Sequence, residues 1–183
     1  MTSPADREIY TEAEAARLLR VRQSTLHYWL DGPQRTRRHH RPIIRDRPCG
    51  SRTVTWAEFV EAAFLRECRR THKVPIPELR TLINQLREGS GLPHPLADTF
   101  IRRFDWAGNV AVGYRPDDNP ESPVRIRPDV RFGKPSIKGV STEVIGEQHD
   151  AGENAETIAK MYALEPPDVA WALSYESSLR TCG

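Results

Sequence analysis

The stretch TEAEAARLLRVRQSTLHYWL, residues 11–30, permits few folds. Thr11 followed three residues later by Glu14 is the signature of a capping box, which starts a helix. Ala15, Ala16, Leu18 and Leu19 then form an apolar stripe at helical spacing. Val21 falls in a turn, and a second helix over 23–31 turns Leu26, Trp29 and Leu30 inward before Gly32-Pro33 ends it. Two short helices with an apolar residue in the turn pack at a steep angle and leave the second protruding. Its outward residues are Arg22, Gln23, Ser24, His27 and Tyr28. Gln bonds adenine edges, His and Ser reach bases or phosphates, and Arg and Tyr suit phosphates. The alternative reading is a helical hairpin used only for packing.

The next segment bears on that choice. Residues 35–52 carry seven arginines and one acid. PII and TVT are short β-prone runs with Cys49-Gly50-Ser51 between them, which predicts a hairpin. As a wing it would lay Arg35, Arg37, Arg38, Arg41 and Arg45 along the DNA backbone, adding affinity that is blind to sequence and sensitive to salt. A merely solvated face is the bland account of the same arginines. Residues 1–88 hold 17 Lys+Arg against 11 Asp+Glu, and residues 89–183 hold 10 against 14. A basic half beside an acidic half suggests two partners of different character.

Further helices are expected over 56–70, with Phe59, Val60, Ala63, Phe64 and Leu65 apolar, and over VPIPELRTLINQLREG. The latter is entered through Pro77, closed by Gly89 and lined by Leu79, Leu82, Ile83 and Leu86. Residues 89–123 are rich in Gly, Pro and Asp, with FIRRF and NVAVGYRP as candidate strands. From 124 come a VRIRP strand, an FGKPSIKG loop and helices near 141–151, 154–162 and 166–178. The fold class expected is mainly α. A winged helix-turn-helix occupies 1–90, a β-containing connector 91–123, and a helix-turn-helix-like three-helix domain 124–183.

The first 90 residues carry a family likeness. YTEAEAARLLRVRQSTLHYWL, the basic segment after it and VTWAEFVEAAFLRECRRTHKVPIPELRTLINQLRE together resemble the winged helix-turn-helix of MerR-type regulators. Family members often place Gly at the turn position held here by Arg20, and Ser or Pro where this chain has Arg22-Gln23.

AETIAKMYALEPPDVAWALSY repeats the apolar spacing of the first helix pair at a constant offset of 143. Ile158 matches Ala15, Met161 Leu18, Tyr162 Leu19, Leu164 Val21, Val169 Leu26, and Leu173 Leu30. Yet residues 161–179 contain no Lys or Arg and three acids, Glu165, Asp168 and Glu176. A duplex would repel such a face, so this unit is expected to contact protein.

The wider stretch resembles the small trihelical antitoxin domain of VapB-like proteins. The residues that carry the likeness are Gly133 to Gly139, Ala151-Gly152-Glu153, Glu156 to Leu164 and Val169 to Tyr175. The resemblance implies a PIN-like ribonuclease toxin as partner and repression of the shared operon. It makes Lys134, Lys138, Trp171, Tyr175 and Arg180 the toxin-contact candidates, with Trp171 and Tyr175 equally readable as core. Inhibition would be steric, or through an Arg placed among the toxin's metal-binding carboxylates. Related two-part proteins carry a longer β-rich insert, so the abrupt passage from PLADTF to IRRFDW predicts a loop missing near 98–101.

Other classes have less behind them. Cys68 and His72 with His39, His40 and Cys49 could be arranged around zinc, but no close Cys pair supports it. The acids of the second half show no catalytic spacing, and WAGNVAVG lacks the Lys-Ser/Thr of a phosphate loop. Three scattered cysteines, no signal peptide and no membrane-length apolar run predict a reduced, cytoplasmic protein without a cofactor. The expected function is an antitoxin that binds operator DNA as a homodimer and neutralises a PIN-like ribonuclease; it is not an enzyme. The alternative is a stand-alone MerR-type regulator whose C-terminal half senses an effector or pairs subunits.

Overall fold

A computed structural model of the chain describes residues 4–33, 41–97, 116, 119 and 121–181. The protein is mainly helical, with short antiparallel strand pairs. It divides into two compact units, Met1–Val110 and Ala111–Gly183.

In the first unit each strand feeds directly into a helix. β1 (Glu8–Thr11) runs into α1 (Glu12–Leu18), and β2 (Thr53–Thr55) into α3 (Trp56–Arg70). The strands pair antiparallel, with Tyr10 opposite Val54 and Thr11 opposite Thr53. Both helices start on a strand-terminal threonine: Thr11 Oγ1 accepts from Glu14 N–H at 3.2 Å, and Thr55 Oγ1 from Glu58 N–H at 3.2 Å. The complete reciprocal box forms at the second, where Thr55 N–H also donates to Glu58 Oε2 (2.8 Å). α2 spans Gln23–Asp31 and α4 spans Ile76–Ser90. Leu18, Leu19, Leu26, Trp29, Leu30, Ile43, Ile44, Val54, Phe59 and Leu65 are all buried. Tyr10 and Trp56 pack on Phe59, with ring centroids 4.8 and 5.7 Å away.

The expected hairpin between PII and TVT does not form. TVT pairs instead with residues 8–11. Ile43 and Ile44 donate their amides to the Trp29 carbonyl at 3.0 and 2.9 Å. That carbonyl lies in the last turn of α2, where no helical donor remains for it, so PII serves as a cap instead of a strand. α4 ends at Gly91, not Gly89; Gly91 adopts the left-handed conformation (φ 68°) that stops a helix. Leu79 and Ile83 are buried on α4 as expected, whereas Leu82 and, on α3, Phe64 are exposed.

In the second unit VRIRP forms no strand among the described residues; Arg125 bridges Ser136. β3 (Ser136–Ile137) and β4 (Val140–Ser141) form a hairpin. Its two linking residues, Lys138 (φ 48°) and Gly139 (φ 83°), are both left-handed, as a type I′ turn requires. Three helices follow, α5 (Thr142–Asp150), α6 (Ala155–Tyr162) and α7 (Pro166–Thr181). Val124, Ile137, Ile145, Ile158, Leu164, Val169, Tyr175 and Leu179 form their common core. The strands expected in FIRRF and NVAVGYRP lie, Pro116 apart, outside the described residues.

Candidate functional site

The turn between α1 and α2 is a Schellman motif. Val21 N–H donates to Ala16 O and Arg20 N–H to Arg17 O, both at 3.0 Å. Arg20 takes the left-handed position (φ 52°) that favours glycine. α2 then starts at Gln23 with Arg22 as its N-cap residue, no side-chain cap and no acid in the first turn. Its partly positive N-terminal end is therefore unopposed by a local carboxylate. Arg22, Gln23 and Ser24 are exposed together there. His27 and Tyr28, expected to face outward with them, are half-buried. His27 Nδ1 donates to Glu12 Oε1 at 2.8 Å. Tyr28 accepts through its hydroxyl from Arg80 Nη2 of α4 at 3.4 Å.

The arginines separate into different roles. Arg41 is exposed; Arg35, Arg37 and Arg38 lie outside the described residues. Arg45, expected on the DNA backbone, is buried. Its guanidinium donates to Glu58 Oε1 (2.6 Å) and Oε2 (3.2 Å), Asp31 Oδ1 (2.9 Å) and Thr53 O (2.8 Å). The bonds to Glu58 and Asp31 outweigh burial and hold it more firmly protonated than a free arginine. All its donors face inward, which leaves none for a phosphate. Sequence reasoning overlooked Arg80. It sits beside α2 and, among the described residues, has no carboxylate partner and no acceptor for its buried Nε.

Glu12, His27 and Asp31 gather at the base of α2, with one ligand-type atom each inside 4.8 Å. Asp31 is already saturated by Arg45 and by the amides of Cys49 and Gly50, both at 3.2 Å. With a guanidinium in contact, the trio suits mutual charge neutralisation better than a divalent cation. Of the zinc candidates, Cys49 is exposed and Cys68 is half-buried. Burial first, and then the charge of Glu67, push the Cys68 thiol up in pKa.

The second helix-turn-helix repeats the first in backbone detail at the same offset of 143. Asn154 Oδ1 accepts from Thr157 N–H (2.9 Å), as Thr11 does from Glu14. Leu164 N–H donates to Ala159 O (2.8 Å), as Val21 does to Ala16. Ala163 takes the left-handed place of Arg20, with φ 54°. α7 starts at Pro166, the counterpart of Gln23. The side chains diverge. Met161, matched to buried Leu18, is 51% exposed. Arg22, Gln23 and Ser24 correspond to Glu165, Pro166 and Pro167. An anion thus meets an acid where the first unit offers a base, and two prolines that lack an N–H.

The acids of this unit are less of a face than the sequence implied. Asp168 is buried, accepting from Lys138 Nζ (2.7 Å) and Glu165 N–H (3.0 Å). Burial alone would raise its pKa, but these bonds hold it below the usual carboxylate range. Glu176 accepts from the Thr142 hydroxyl at 2.6 Å.

Tyr175, read as a contact residue or as core, is core: it is 1% exposed. Trp171 is half-buried against the same cluster. Lys134 pairs with Glu143 (2.6 Å), Lys138 with Asp168 (2.7 Å) and Arg180 with Asp150 (2.6 Å), all with the cation exposed. Each keeps further N–H donors on an exposed head, so each can meet a second acceptor without releasing its present acid.

The fold and these two units define a mainly helical protein with a helix-turn-helix at each end of the chain. Residues 124–175 match a family described as a protein of unknown function (DUF433). The chain is similar to the uncharacterized protein Rv2308 of Mycobacterium tuberculosis, with 29% identity covering 98% of this chain and 94% of that one. That alignment runs over 225 positions, more than the 183 residues present here, so the relative carries residues this chain lacks. The position expected for the missing loop, 98–101, lies outside the described residues up to and including Phe100 and Ile101. The fold is shared with the crystal structure of Rv2018 from the same organism, at a TM-score of 0.67 and 23% identity over 92% of this chain and 98% of that one. Among the described residues no helix is long and apolar enough to cross a membrane.

Proposed function

We propose that this chain is an antitoxin: its first unit binds operator DNA and its second neutralises a PIN-type ribonuclease. The observation that carries the reading is the contrast between two matching helix-turn-helix backbones. One presents Arg22, Gln23 and Ser24 at the start of its second helix, and the other presents Glu165, Pro166 and Pro167. The first set suits a polyanion and base edges. The second lacks the charge and the amide donors for that task and suits a protein surface. The resemblance of the motifs between Gly133 and Tyr175 to VapB-like antitoxin domains suggests the class of partner. On this reading Arg22, Gln23 and Ser24 meet the DNA, with Arg80, which bonds Tyr28 of the same helix, and exposed Arg41 as further phosphate contacts. One recognition helix reads a half-site, so the DNA-bound form is a homodimer.

The test is co-purification. The chain is expressed with the product of the adjacent gene, only that product is tagged, and RNA cleavage is assayed with and without this protein. A stable, silent complex supports the reading. Operator binding without association leaves a stand-alone regulator.

A further inference from the structure

We propose that Phe132, held out by a strained loop, is the anchor by which the second unit grips its protein partner. The occupant it fits is an apolar pocket with a carboxylate on its rim. This inference rests on the antitoxin reading and assigns that reading its contact point.

Phe132 is 83% exposed, whereas the other exposed large apolar residues among those described range from 38 to 51%. A bare phenylalanine in water is unfavourable, and this one is not there through slackness of the chain. Arg131, Phe132 and Gly133 are consecutively left-handed, at φ 49°, 55° and 78°. For a bulky residue that backbone is an outlier and needs surroundings that enforce it. They are present. Gly133 N–H donates to Val130 O (3.0 Å), Lys134 N–H to Arg131 O (3.1 Å) and Arg131 Nε to Gly139 O (2.9 Å). On either side the chain is tied down by the paired bonds of Arg125 and Ser136, both 2.9 Å, and by the buried side chains of Val124 and Ile137. A preorganised aromatic of this kind loses little freedom on binding, which is the property of an interface hot spot.

Charge selects the occupant. Of the five Lys or Arg in residues 124–139, Arg127, Lys134 and Lys138 already pair with Asp129, Glu143 and Asp168, so the selection rests on Arg131. Arg131, next to the ring and exposed, has a carbonyl as its hydrogen-bond partner and no carboxylate among the described residues. An apolar pocket rimmed by acids satisfies both residues at once. The same loop reaches the start of α7 through Lys138, which bonds Asp168 and lies 3.9 Å from Glu165. The anchor is thus continuous with the Glu165-Pro166-Pro167 end of the second helix-turn-helix.

The experiment uses the full chain and the adjacent gene's product. Wild type, Phe132→Ala, Phe132→Leu and Arg131→Glu are compared for binding, thermal midpoint and operator binding. The expected result is about 30-fold weaker association for Phe132→Ala, from the usual size of a hot spot. Phe132→Leu should recover most of the loss, and for both Phe132 variants the midpoint and operator affinity should stay unchanged; Arg131→Glu, which also gives up the bond to Gly139 O, should weaken binding. Equal binding by wild type and Phe132→Ala overturns the anchor while the antitoxin reading stands. No binding by wild type overturns both. Dissociation of a dimer by Phe132→Ala in sedimentation, or its loss of binding to phosphatidylserine vesicles, assigns the ring to another occupant and overturns the proposal.

Discussion

Replacing Arg45 with alanine should break the first unit rather than weaken a DNA contact. The side chains of Arg45, Asp31 and Glu58 are 7, 5 and 8% exposed. Removing the cation leaves two buried carboxylates without their counter-charge, a change that costs about 3–5 kcal/mol. The lower end applies here. Asp31 keeps the amides of Cys49 and Gly50, and Glu58 keeps that of Thr55. The Thr53 carbonyl loses its guanidinium donor as well. Against a usual stability of about 5–15 kcal/mol, this is a large fraction. At about 4–8 °C per kcal/mol for a domain of this size, the midpoint should fall by at least ~12 °C. Arg45→Lys keeps the charge but cannot fork between Glu58 and Asp31, so it should recover only part of the loss. Exposed Arg41→Ala should stay within about 0.5 kcal/mol of wild type. Denaturant unfolding followed by circular dichroism measures both, and the salt dependence of DNA binding is read in parallel. An Arg45→Ala protein of unchanged stability whose log K against log[salt] slope drops by about one would refute the reasoning, because it would make Arg45 a phosphate contact.

Three further outcomes are expected. Ala163→Gly should stabilise the second unit by about 1 kcal/mol, since Ala163 is exposed and left-handed; an unchanged thermal midpoint would count against strain there. Asp168 and Asp150 have lowered pKa values in the folded state, Asp168 by the Lys138 and Glu165 bonds against burial, Asp150 chiefly by its bond from Arg180. Their contribution is therefore present above the unfolded carboxylate value of about 3.9 and is lost as pH falls through the lower folded values. Lys138→Met should flatten this acid-side loss, and identical midpoint-against-pH curves would contradict it. Arg80→Ala should weaken DNA binding uniformly across sequences and lower the salt slope by about one, with stability little changed; an unaltered slope would remove Arg80 from the interface.

The sequence by itself determined the local architecture. Capping residues and apolar spacing located α1, α2, α3, α5, α6 and α7 within a few residues, because those signals act inside a single helical turn. The offset of 143 between the helix pairs was legible for the same reason, and it extends to caps and turns that no side-chain pattern specified. The tertiary structure decided the partners. β-propensity marked TVT as a strand but could not choose between PII and residues 8–11, since pairing depends on which edge the packed helices bring near. Charge marked Arg45 as a phosphate ligand, and only the fold placed Asp31 and Glu58 around it. Asp168 and Glu176 read as an acidic face until Lys138 and Thr142 arrived from distant positions. Phe132 gave no signal at all in the sequence. Its exposure comes from three left-handed residues in a row, which hydrogen bonds to Val130 and Gly139 impose and which composition does not record.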